Sequence, residues 1–116
     1  MSLRNERVRK ALMREISDII FREIKDRDIC GMVSITDVDV SSDNSVARVF
    51  YSVFGDEEAK KRTSKALERH VGQIRHEVGK RIRLRKTPTL LFILDESLEK
   101  GAKMTELINK IERGEL

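Results

Sequence analysis

The residues of this chain best placed to do chemistry are its cations. Lys65, Arg69, Arg75, Lys80, Arg81, Arg83, Arg85 and Lys86 fall in one helix-rich stretch and avoid its apolar stripe. Five of the eight residues in GKRIRLRK, positions 79–86, are Lys or Arg, and the only proline, Pro88, follows almost at once. A solvated helix end with cations suited to its dipole would account for part of this pattern. It does not account for the shortage of interleaved acids, which leaves like charges to repel one another. Residues 60–86 hold 11 Lys/Arg against Glu68 and Glu77, a net of +9, whereas the rest of the chain nets −5. A basic patch on an acidic body is the electrostatic footprint of a polyanion binder.

Other chemistry finds little support. His70 and His76 lie six residues apart, roughly 120° from stacking on one helix face. The single cysteine, Cys30, gives no zinc spacing and no internal disulfide, which fits a reducing cytosol. No glycine-rich phosphate loop is present. Asp37/Asp39 and Glu57/Glu58 read as a strand's solvent face and a helix start, and without convergent carboxylates a nuclease is disfavoured. No catalytic residue, metal ligand or cofactor is expected. No apolar run nears the roughly 18 residues of a membrane span, and no signal-peptide core follows Met1. A cytoplasmic protein is therefore expected. Aromatics make up 4% of the chain and Trp is absent, which argues against base stacking as the main mode of recognition.

The elements that must position the cations follow from periodicity. Residues 5–26 place Val8, Leu12, Ile16, Ile19, Ile20 and Ile24 at helical steps, with Glu23 and Arg27 spaced for an ion pair and Gly31 as a stop. Residues 32–40 read as a strand whose parity switches at Thr36-Asp37, the mark of a β-bulge. A turn at 41–45 leads to a second strand, 46–54, with Ala47, Val49, Tyr51 and Val53 on one face. Asp56, Glu57 and Glu58 then open a helix that runs to about residue 84. Gly72, Gly79 or both are expected to kink or split it. Pro88 ends the helical run, 89–95 forms a third strand, and 102–114 reads as a short terminal helix. One α+β domain over 1–116 is expected, a three-stranded sheet with helices on one face and the order α-β-β-α-(kink)-α-β plus the terminal helix.

Three segments carry a resemblance: ERVRKALMREISDIIFREIKD, the hairpin VSITDVDVSSDNSVARVFYSVF, and the stretch from Leu67 to Ile108. The last contains Gly79, Lys80, Arg83, Leu84, Arg85, Pro88, Leu90, Phe92, Asp95 and Ser97, with Met104 beyond. Together they resemble the bacterial ribosome-binding factor A family over nearly the whole chain. The resemblance implies a KH-like type II fold, binding to the free small (30S) ribosomal subunit, and support of late 16S rRNA maturation without catalysis. It also implies an Ala-x-Gly kink between helices in place of the GXXG loop of other KH domains. Here the kink motif reads His70-Val71-Gly72, so a bulky His must tilt outward or fill space. An outward His70 would add a polar contact to the basic face.

On this reading the eight cations meet rRNA phosphates, and function rests on differential affinity for immature and mature RNA. The partners expected are the small subunit and its 16S rRNA, with other assembly factors as further candidates; the protein itself is expected to be a monomer. The alternative is a protein–protein adaptor using the open sheet face, where Phe50, Phe54, Leu91 and Ile93 would lie.

Overall fold

Within the described residues, the apolar stripes read from the sequence become walls of a shared core. A computed structural model describes residues 3–30 and 32–96. The elements are α1 (Leu3–Arg22), β1 (Met32–Val40), β2 (Val46–Phe54), α2 (Glu57–Arg69), α3 (Val71–Arg81) and β3 (Thr89–Leu94). The sheet order is β1-β2-β3, with β2 antiparallel to β1 and parallel to β3. Parallel pairing of β2 and β3 requires a crossover, which α2 and α3 supply. This is the expected α+β, KH-like arrangement.

Alternation along β2 buries Ala47, Val49, Tyr51 and Val53 beneath the helices. Leu12, Ile16 and Ile19 of α1, Leu67 of α2, and Ile74 and Val78 of α3 cover them, all without solvent exposure. The Tyr51 hydroxyl donates to Ser64 Oγ at 2.8 Å, so the one buried phenol is satisfied from α2. The expected bulge is present: the register shifts between Ile35 and Asp37. It lets Val33, Ile35, Val38 and Val40 pair with the inward residues of β2 despite their switch in parity. Thr36, the extra residue, donates from Oγ1 to Asp95 Oδ2 at 3.1 Å.

Two helix boundaries differ from the sequence expectation, the ends of α1 and α3, and the break between α2 and α3 falls inside the expected His70-Val71-Gly72 motif. α1 ends at Arg22 rather than near 26, so the Glu23–Arg27 helical pair does not form, and Glu23 lies instead 3.5 Å from Arg81. The cause is the next turn, where Asp26 Oδ1 accepts from the Asp28 backbone N–H at 2.9 Å, an Asx turn that competes with helix. The second helical run splits at His70 (φ −105°, ψ 8°), two residues before Gly72, which sits within α3. α3 then stops at Arg81, and Ile82 is already extended. Gly31, Ser97, Met104 and the 102–114 helix lie outside the described residues.

The placement of α1 follows from its contacts with β1. Arg9 meets Asp37, while Ile20 and Ile24 line a pocket with Met32, Val33 and Ile35, so α1 runs opposite to β1. Arg81 at the end of α3 packs against the second half of α1, meeting Glu15, Asp18 and Glu23. The amino-terminal half of α1 extends toward the end of the sheet that residues 82–88 enter.

Candidate nucleic-acid interface

Residues 82–88 carry the densest exposed charge, and two devices fix them. Ile82 and Leu84 turn inward against the core, so Arg83 and Arg85, which alternate with them, turn outward. Arg75 reaches from α3 to hold the far end of the segment: its Nε donates to the Pro88 carbonyl at 3.1 Å and its Nη2 to the Thr87 carbonyl at 2.8 Å. Gly79 permits the approach, since a Cβ there would lie 3.0 Å from Thr87 Oγ1. Arg83, Arg85 and Lys86 are exposed and make no ion pair among the described residues. Cations held without partners at a fixed spacing lose little entropy on meeting phosphates.

A second polar cluster sits where α2 meets α3. Arg69 Nη2 donates to Asp26 Oδ2 and to Asp28 Oδ2, each at 2.9 Å, and Arg62 holds Asp28 Oδ1 at 3.0 Å. The His70 ring, half-buried, contacts Asp26 Oδ2 through Nε2 at 2.9 Å and Gln73 Oε1 through Nδ1 at 3.2 Å. The bulky residue of the kink motif therefore neither fills the core nor points away; it fastens the joint to the α1–β1 loop. The Asp28 backbone N–H, then Arg69 and His70, hold the Asp26 carboxyl well below the usual carboxylate range. Arg62 and then Arg69 lower Asp28.

Arg81 forms a third cluster, between helices. Its Nη1 donates to Asp18 Oδ2 at 2.6 Å and to Glu15 Oε2 at 3.2 Å. The hydrogen bond from Arg81 is the largest cause lowering the Asp18 carboxyl. Between these clusters a shallow groove of about 570 Å³ runs along the outer side of α3, lined by Gly72, Arg75, His76, Gly79, Lys80 and Thr87. A Cβ at Gly72 would meet nothing within 4 Å, so the helix backbone there is open to an approaching chain.

The eight cations read from the sequence thus fall into two sets. Lys65, Arg83, Arg85 and Lys86 are exposed without an ion pair among the described residues, and Lys80 is exposed with Glu77 3.5 Å away. Arg69, Arg75 and Arg81 spend donors on partners within the protein. The sequence reading missed those partners, Asp26, Asp28, Glu15 and Asp18, and with them Arg62. The one local signal was the Asp-x-Asp spacing at 26–28, which favours a turn. Among the described residues no cluster of His, Cys, Asp or Glu could hold a metal ion, and no helix is long and apolar enough to cross a membrane.

A family model described as ribosome-binding factor A matches residues 4–108. The chain belongs to this family. A member from Caldanaerobacter subterraneus is 44% identical over 115 residues, covering 99% of this chain and 94% of that protein. One from Halothermothrix orenii is 47% identical over 112 residues, with 97% and 91% covered. The fold agrees with solved members of the family. The solution structure of a Thermotoga maritima protein described as a putative ribosome binding factor A has a TM-score of 0.57 at 27% identity, covering 79% of this chain and 83% of that one. The crystal structure of the Thermus thermophilus factor has a TM-score of 0.68 at 24% identity, covering 79% of this chain and 96% of that one.

Proposed function

We propose that this protein binds the free small ribosomal subunit and supports late maturation of its 16S rRNA, acting as a cytoplasmic monomer without catalysis. The observation that carries the reading is the pinned trio Arg83, Arg85 and Lys86, without an ion pair among the described residues, on a member of the ribosome-binding factor A family. Lys65 and Lys80 extend the phosphate contacts along the helices, and the groove at Gly72 and Gly79 admits the sugar–phosphate chain to the α3 backbone. Arg69, Arg75 and Arg81 set the angle and reach of this surface through their internal partners. With so few aromatics, recognition rests on RNA shape. The factor favours an immature rRNA conformation and leaves when the mature surface no longer fits.

The test is co-sedimentation with purified small subunits across a salt series, using Arg83→Glu with Arg85→Glu. Both side chains are exposed, so folding survives while binding falls. Removing one phosphate-binding cation flattens the log–log salt dependence by about 0.7–0.9. Unchanged binding at moderate salt removes this surface from the reading.

The sheet face opposite the helices supports a second reading, a protein–protein adaptor. Phe54 is 85% and Met32 74% exposed, and Leu91 and Ile93 lie on the same open side, with Phe50 half-buried between them. An apolar adaptor would hold its partner as salt rises, whereas a phosphate binder releases it.

A further inference from the structure

By sequence, the first helix alternates its charges and looks merely solvated. The structure separates them. Glu6 is held by Arg9, at 2.6 Å, and Arg9 also reaches Asp37 of β1 at 2.9 Å. Glu15, Asp18 and Glu23 face α3, where Arg81 meets all three, and Arg22 holds Asp18 at 2.8 Å. Every acid of α1 whose side chain is described is thereby neutralised or turned toward its neighbour. Among the α1 cations whose side chains are described, those left over are Arg7, Lys10 and Arg14, all exposed. Arg7 and Lys10 make no ion pair among the described residues, and Arg14 has only Glu15 at 3.5 Å. Positions 7, 10 and 14 share one helical stripe, opposite the buried Val8, Leu12, Ile16 and Ile19.

This stripe faces away from the sheet, as do Gly72, His76 and Lys80 of α3, because both helices pack their apolar sides on the same sheet face. The contact of Arg9 with Asp37 sets the amino-terminal half of α1 toward the end of the sheet where Val40, Val46 and Thr89 lie, the end that residues 82–88 enter with Arg83, Arg85 and Lys86. Between the two cationic sets lies the acidic seam that Arg81 and Arg22 neutralise, so it presents little repulsion to a polyanion. We infer that Arg7, Lys10 and Arg14 form a second phosphate-contacting row, and that the RNA bound at residues 80–86 continues across the seam onto α1. The inference rests on the proposed RNA binding and enlarges its footprint from one helix to the outer surface of two.

The test substitutes Arg7→Gln, Lys10→Gln and Arg14→Gln together. Gln keeps helix propensity, and no strong ion pair is removed, so the melting temperature serves as the check on folding. Affinity for purified small subunits is expected to fall at least tenfold at moderate salt, with the salt slope reduced by about 2, as for three phosphates. A parallel variant, Arg83→Gln with Arg85→Gln and Lys86→Gln, separates two failures. If it weakens binding while the α1 variant does not, the second row is refuted and the proposed function stands; if neither weakens binding, both fall. A photo-crosslinker attached at Lys10→Cys in a Cys30→Ser background, used because Cys30 is exposed, identifies the partner. An adduct on rRNA is expected. Adducts confined to ribosomal protein overturn the inference in favour of an acidic protein surface.

Discussion

Asp26 is a single carboxylate on which three elements converge. It receives Arg69 from the end of α2, His70 from the interhelical break and the Asp28 N–H from its own turn. A carboxyl whose folded pKa lies below its unfolded value stabilises the fold above the unfolded pKa, about 4, and loses that contribution as pH falls toward the folded pKa. Asp18, Asp26 and Asp28 all shift in this direction. The melting temperature should therefore drop steeply below about pH 4. Asp26→Asn should lower it at pH 7 and make the acid-side fall shallower; an unchanged acid limb would show that the cluster does not couple the joint to the loop. The cations were legible in the sequence because charge density is local. Their partners were not: Arg81 and Glu15 are 66 residues apart, and nothing in a linear pattern brings them together.

Among the elements, α3 shows two glycines with different reasons. At Gly72 a Cβ has open space, so Gly72→Ala should raise stability by about 0.5–1 kcal/mol through helix propensity. It should also weaken RNA binding by placing a methyl where the sugar–phosphate chain approaches. At Gly79 a Cβ would lie 3.0 Å from Thr87 Oγ1, so the Thr87 hydroxyl must rotate or shift, which offsets part of the gain in helix propensity. Gly79→Ala should therefore raise the melting temperature less than Gly72→Ala does; an equal or larger rise would refute the distinction. Within the described residues the helices and strands themselves were legible, down to the bulge at Thr36, because burial on one face imposes a period. The break falls inside the kink motif His70-Val71-Gly72, at His70 and not at either glycine, because Asp26 holds Arg69 and His70 there. The early end of α1 has the same origin, since the Asx turn at Asp26 and Asp28 serves contacts with α2 that a linear reading cannot see.

For the whole molecule, the charge imbalance proved less simple than a basic patch on an acidic body. Part of the acid excess is spent inside the protein, on Arg9, Arg22, Arg62, Arg69 and Arg81. That consumption leaves α1 outwardly cationic, which a net charge taken over sequence windows hides. The parallel strand pairing sets Val46 beside Thr89, with the whole helical crossover in between. Pairings so distant along the chain form late, because the loop must close before any contact rewards it. Arg75 has no carbonyls to hold until Thr87 and Pro88 arrive with β3, so the cationic segment takes shape only at that step. On the proposed function, binding competence should then be the last property a refolding chain acquires. In pulsed hydrogen exchange, subunit binding should begin together with protection of β3 and not with that of the β1–β2 hairpin; binding that precedes it would break the link. A nascent or half-folded copy, though it carries every cation, would thus be kept off the assembling ribosome by the order in which its own strands close.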